Sequence, residues 1–183
     1  SGQDIGLHMT GGIMLAATHE RFDWLKSIYA KGKYLGMHDL EIITPQRAHE
    51  LMPLIDPEQF VGAMYDPVEG HVDPYGVTHA YAKAARKNGA SYETHVMVES
   101  LSQTADGSWH VKTNKGTIIA EHVVNAAGLW AREVGRMVGL ELPVLAMEHM
   151  YLLTEDMSEV AEINASTGAE VLHTVDFDGE IYI

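Results

Sequence analysis

Glu121-His-Val-Val-Asn-Ala-Ala-Gly-Leu-Trp-Ala-Arg-Glu-Val-Gly135 is the stretch on which the rest of this sequence turns. Val123, Val124 and Ala126 lead as a strand into a small-residue turn, Ala126-Ala127-Gly128. A helix is then expected from Leu129 to about Val138, with Gly139 as its stop. Strand, tight turn and helix let a backbone come close to a ligand, because no bulky side chain intervenes. The helix start also presents N–H groups that favour an anion such as a pyrophosphate. Taken alone, the same pattern is ordinary packing of a helix on a strand, so its neighbours decide what it means.

Upstream, Gly11–Ala17 is an apolar run that predicts a buried strand after a glycine pair. Thr18 then caps a helix to about Tyr34, with Phe22, Leu25, Ile28 and Tyr29 at helical spacing. Leu40–Ile43 is a short strand, Thr44-Pro45 opens a helix that ends before Pro53, and Phe60–Tyr65 is another strand. Asp73-Pro74 repeats the cap-plus-proline start, for a helix stopped by Gly89. A strand from Tyr92 to Leu101, one over Trp109–Thr113 and one from Thr117 form a small meander before the opening stretch, with turns at Asp106-Gly107 and Asn114–Gly116. Downstream, Pro143–Leu153 is expected to be extended, with Leu145, Met147, His149, Tyr151 and Leu153 on one face. A short helix around Met157–Ile163 and strands at Glu170–His173 and Glu180–Ile183 complete an α/β (α+β) chain.

Twelve basic against 26 acidic residues give a formal charge of −14, which repels a polyphosphate backbone and excludes nucleic acid and anionic membranes as partners. No cysteine is present, so thiolate chemistry and disulfides are excluded. No apolar run approaches the ~18 residues of a membrane span. The expectation is a soluble chain, cytoplasmic or, in a eukaryote, of the mitochondrial matrix. Ser1-Gly2 in place of an initiator Met, and a last residue Ile183 inside an expected strand, read as a fragment.

Eleven histidines raise the question of a metal. The helical zinc pattern needs a second His four residues after the first, but Asp23 follows His19 and Pro53 follows His49. His71 and Asp73 share a strand face, yet Asp73 is better used as a helix cap. The sequence therefore assigns no metal site. It holds neither a Gly-x-Ser-x-Gly nucleophile turn nor a complete Gly-x-Gly-x-x-Gly loop. His149 lies between Met147 and Tyr151. Such a His is commonly a core residue with a satisfied hydrogen bond; the functional alternative is a polar group in an apolar ligand pocket.

Gly11–Ala16, Gly70-His-Val-Asp-Pro-Tyr75, Val124–Gly135, Glu148-His-Met-Tyr151 and Gly179–Ile183 occur in that order. Together they resemble the dimethylglycine and sarcosine dehydrogenase family, FAD-dependent amine oxidoreductases of the D-amino-acid-oxidase-like superfamily. The resemblance covers essentially the whole chain and is closer to the dimethylglycine branch. It implies a two-lobed fragment: a mixed or antiparallel substrate-domain sheet over 1–72 and 141–183, and part of an FAD-binding domain over 73–140. It also implies residue roles. Val98 would meet the adenine end of FAD; Ala126, Ala127, Gly128 and Trp130 would lie along the cofactor; His149 and Tyr182 would line the substrate pocket as the catalytic pair.

The substrate implied is an N-methyl amino acid that passes hydride to flavin, with an electron-transfer flavoprotein as a candidate acceptor. The glycine-rich pyrophosphate loop and the covalent flavin attachment residue of such families are not in this chain, and tetrahydrofolate would bind through a C-terminal region that is likewise absent. The fragment is thus expected to be inactive alone and to hold FAD weakly or not at all. Two alternatives stand beside this: a superfamily member acting on another amine or amino acid, and a non-catalytic small-molecule binding module.

Overall fold

The computed structural model describes residues 2–183. Its elements are β1 (Gly12–Ala16), α1 (His19–Tyr34), β2 (Glu41–Ile43), α2 (Pro45–Leu51), β3 (Gly62–Asp66) and α3 (Pro74–Lys87). There follow β4 (Val98–Gln103), β5 (Trp109–Thr113), β6 (Gly116–Ala120), α4 (Ala131–Arg136), α5 (Ser158–Thr167), β7 (His173–Asp176) and β8 (Ile181–Tyr182). The chain forms two compact units, residues 1–90 with 154–183, and residues 91–153. Helix α3, placed by sequence at the start of the cofactor-binding segment, belongs to the first unit.

The first unit is built on a five-stranded mixed sheet ordered β2-β3-β1-β7-β8. β1 pairs antiparallel with β3 and parallel with β7, while β2 and β8 are the antiparallel outer strands. The continuous apolar run of β1 follows from its central place, because a strand covered on both faces has no polar side. Ile13 and Leu15 point into one core with Ile43, Ala48, Met52, Ile55 and Ala63, which α2 closes. Met14 and Ala16 point the other way, where Leu25, Phe22, Ile28 and Tyr29 of α1 pack with Met64. The period of two in β1 and the spacing of three and four in α1 thus meet on one face.

Local chemistry sets the helix starts. The Thr18 hydroxyl accepts a hydrogen bond from Arg21 N, and Thr44 does the same for Arg47 N ahead of Pro45. The Asp73 carboxylate accepts from both Tyr75 N and Gly76 N, with Pro74 at the first helical position. Each bond satisfies a donor the helix itself leaves unpaired.

The second unit holds the antiparallel meander β4-β5-β6, whose core side is Val111 and Thr113 of β5. Gly107 and Gly116, with φ of +89° and +132°, make its two turns. Three expectations are corrected here and in the first unit. Val123–Ala126 is not a strand, and the helix beyond it is a 3₁₀ turn (Gly128–Trp130) followed by the six residues of α4. Pro143–Leu153 joins no sheet, and both of its faces are open: Met147 is 81% exposed and Met150 93%. β7 lies three residues later than expected. A strand is a pairing as much as a conformation, and among the described residues neither corrected segment is a strand of either sheet.

Candidate functional site

The expected residues are distributed over both units. In the second unit, Asn125 organises the small-residue turn. Its side-chain oxygen accepts from Ala127 N at 3.3 Å, and its amide donates to the Ala131 carbonyl at 2.8 Å. Trp130 N closes the turn on the Ala127 carbonyl. Gly128 has φ +54°, a left-handed conformation that strains any side chain, and a Cβ built on it meets no atom within 4 Å. Ala126, Gly128 and Trp130 are exposed and Ala127 is half-buried. The backbone at Gly128 is therefore open to an approaching group. The chemistry of the turn fits the edge of a cofactor such as FAD. The expected helix-end anion site is not carried by α4, because six residues align too few peptide dipoles.

Val98 opens β4, half-buried, opposite Thr113, and a bulge follows it before Ser100. The preceding turn is tied by Asn114, whose side-chain oxygen accepts from Met97 N and whose own N–H bonds the Met97 carbonyl. His149 is exposed within the 143–153 segment of the second unit, which joins no sheet.

The segment that returns after α4 is held by an acid between two guanidiniums. Arg136 donates to both Glu141 oxygens at 2.9 and 3.0 Å, and Arg132 reaches the same carboxylate. These partners, Arg136 first and Arg132 after it, lower the Glu141 carboxyl from 4.5 to about 2. A depressed acid contributes to the fold above its unfolded value and loses that contribution as pH falls through the folded one. The ¹³C shift of the Glu141 carboxyl should therefore titrate near pH 2, and in Arg136→Ala the midpoint should move up toward the ordinary glutamate range. An unchanged midpoint in the variant would remove Arg136 as the cause.

Tyr182 lies in the first unit on β8, opposite Val175. Its ring stands edge-on to His173, with centroids 6.0 Å apart, and His173 Nδ1 is 3.3 Å from Glu69 Oε1. The structure thus adds His173 and Glu69 to Tyr182, an association no spacing could suggest, since Glu69 lies in the loop after β3 and His173 starts β7, far apart in the chain. A second group, His8, His71 and Glu170, is likewise assembled from three segments. An apolar cavity of about 200 Å³ under α1, lined by Met14, Ile28, Leu40 and Met64 with Asp66 and Glu69, includes none of the expected site residues. Among the described residues no helix is long and apolar enough to cross a membrane.

The family described as DAO, FAD dependent oxidoreductase, matches residues 1–183. The mitochondrial dimethylglycine dehydrogenase of Rattus norvegicus is 38% identical over 183 residues, which is 100% of this chain and 21% of that protein. The mitochondrial sarcosine dehydrogenase of Homo sapiens is 32% identical over 167 residues, 84% of this chain and 18% of that protein. The chain therefore spans about a fifth of the length of these relatives. The crystal structure of L-proline dehydrogenase from P. horikoshii matches with a TM-score of 0.74 at 23% identity, over 97% of this chain and 46% of that one, a likeness of fold.

Proposed function

The chain belongs to the DAO family of FAD dependent oxidoreductases, and from that premise we propose that the whole protein oxidises an N-methylated glycine, of the dimethylglycine or sarcosine kind, with FAD as cofactor. The observation that carries this reading is the 38% identity to a dimethylglycine dehydrogenase along all 183 residues. The Glu148-His-Met-Tyr151 and Val124–Gly135 motifs fall within that span.

Bound FAD would supply the redox chemistry, as acceptor of a hydride equivalent from the substrate's methyl carbon. The chain's own residues would position the cofactor and the amine. Val98 and the Asn125-bracketed turn, with Ala126, Ala127, Gly128 and Trp130, would face the cofactor along uncovered backbone. His149 on the second unit and Tyr182 on the first are the proposed catalytic residues, each able to hold a carboxylate or take a proton from an amine nitrogen, since an amine can release hydride only with its lone pair free. An electron-transfer flavoprotein as acceptor, tetrahydrofolate as acceptor of the released carbon and a mitochondrial location belong to the same proposal.

Anaerobic mixing of the full-length flavoprotein with dimethylglycine, sarcosine, glycine and proline tests it directly. Dimethylglycine or sarcosine should bleach the flavin fastest. Faster reduction by glycine or proline would move the protein to another substrate class in the family. His149→Ala should slow amine-dependent reduction by about a hundredfold or more, the range of general acid–base groups, while FAD content stays unchanged. Equal loss of both would make His149 structural.

A further inference from the structure

We propose that His8, His71 and Glu170 form a binding site for a divalent transition-metal ion of the zinc class, on the first unit and sharing no residue with the proposed amine site. One donor atom from each residue lies within 4.8 Å of the others. His8 Nδ1 sits 2.9 and 3.0 Å from the two Glu170 oxygens, and His71 Nε2 is 4.0 Å from Oε2. Tetrahedral zinc at ~2.0–2.1 Å from its nitrogen ligands places donors roughly 3.3 Å apart, so the two imidazoles must turn out of their stack for their in-plane lone pairs to meet on one ion. Two imidazoles and a carboxylate are the borderline donors that zinc accepts, and three protein ligands leave a position for water.

The backbone holds the histidines in place before any ion arrives. His8 and His71 face each other as an isolated antiparallel bridge, each N–H bonding the other's carbonyl at 2.9 Å. Their rings are consequently stacked, with centroids 4.9 Å apart and planes 12° from parallel. Gly11 N donates to the Glu69 carbonyl and extends the pairing. Gly70 permits the approach, since a Cβ there would overlap the His8 carbonyl and come within 2.9 Å of Met9 Cα. Glu170 comes from the segment between α5 and β7, beside a cleft of about 380 Å³ that His71 and Glu170 also line. All three residues are exposed, so packing does not require them to meet. Fourteen excess negative charges further favour a cation.

Calorimetric titration of the chelator-treated 183-residue chain with zinc chloride should give one saturable site. His71→Ala and Glu170→Gln should each weaken it by about tenfold or more, as loss of a ligand exceeds the 10–100-fold cost of disturbing a ligand's support. His38→Ala, a histidine outside the cluster, should leave it unchanged. Zinc should also raise the midpoint of thermal unfolding in the parent chain and not in Glu170→Gln, because an ion bound only by the folded state stabilises it. His71→Gln, which keeps the size of the side chain, guards against misfolding of the alanine variant and should lose binding equally. Absence of saturable binding, or binding that survives the His71 and Glu170 variants, would overturn the site.

Discussion

Leu25→Ala is expected to lower the unfolding free energy by about 2–5 kcal/mol, the range for deleting a fully buried leucine. Leu25 is completely inaccessible and stands at the middle of the α1 face that meets Ala16 and Met64. The neighbours cannot collapse into the space. Ala16 and Met64 are on paired strands β1 and β3, and Phe22 and Ile28 are held by the same helix. The transfer term and the cavity term therefore add. Urea unfolding followed by far-ultraviolet dichroism measures the change, and a loss below about 1 kcal/mol would show that α1 is not a fixed layer of the core. Trp24, one residue away and 40% exposed, is the matched control. Its replacement by Ala should cost less, although its ring also meets Phe177 edge-on at 5.3 Å.

Gly70→Ala should be the second largest effect, with a cost of at least about 1–3 kcal/mol, the usual range for overpacking. What separates it from other glycine replacements is the nature of the obstacle. The atoms in the way are backbone, at His8 and Met9, and no rotamer change can move them. At Gly62 the obstacle is the Phe22 ring, which has some freedom to turn. The chain in Gly70→Ala must separate residues 8–11 from residues 69–71. Hydrogen exchange should then speed up selectively at His8 and His71, whose N–H groups bond across the bridge, while Leu15 within β1 stays protected. Uniform loss of protection would mean that the bridge and the sheet unfold as one.

What was legible in the sequence follows how far apart the determining atoms lie. Thr18, Thr44 and Asp73 were readable as caps because a cap is complete within three residues. β1 was readable because burial on both faces leaves its composition uniformly apolar. The mixed sheet and the family likeness were legible from order and motif. The Val123–Ala126 and Pro143–Leu153 segments have strand-like composition without a strand, since composition reports tolerance of extended backbone and not the presence of a partner. The alternation over Leu145–Leu153 has no covered side to report, with Leu145 78% exposed and Leu153 91%. Within the candidate site, Gly128 was legible as a turn glycine, whereas the bracket by Asn125 is a side-chain geometry that residue order only permits. The meetings of His173 with Glu69, and of His8 and His71 with Glu170, join segments that share no local signal. Only the topology brings them together.

The parallel pairing of β1 with β7 has a consequence for the growing chain. Gly12–Leu15 must wait for residues 173–176 to complete the sheet. β3 can cover the other edge of β1 early, because only some fifty residues separate the two. At synthesis rates of roughly 5–20 residues per second, the ~160 residues between β1 and β7 take on the order of 10–30 s. For that interval the nascent chain carries an apolar strand with one side unsatisfied, which is the kind of edge that recruits strands from other molecules. The meander β4-β5-β6, made of near neighbours, can form meanwhile without help. The time of greatest danger to this sheet is therefore before residues 173–176 emerge, and a holding chaperone would matter most there.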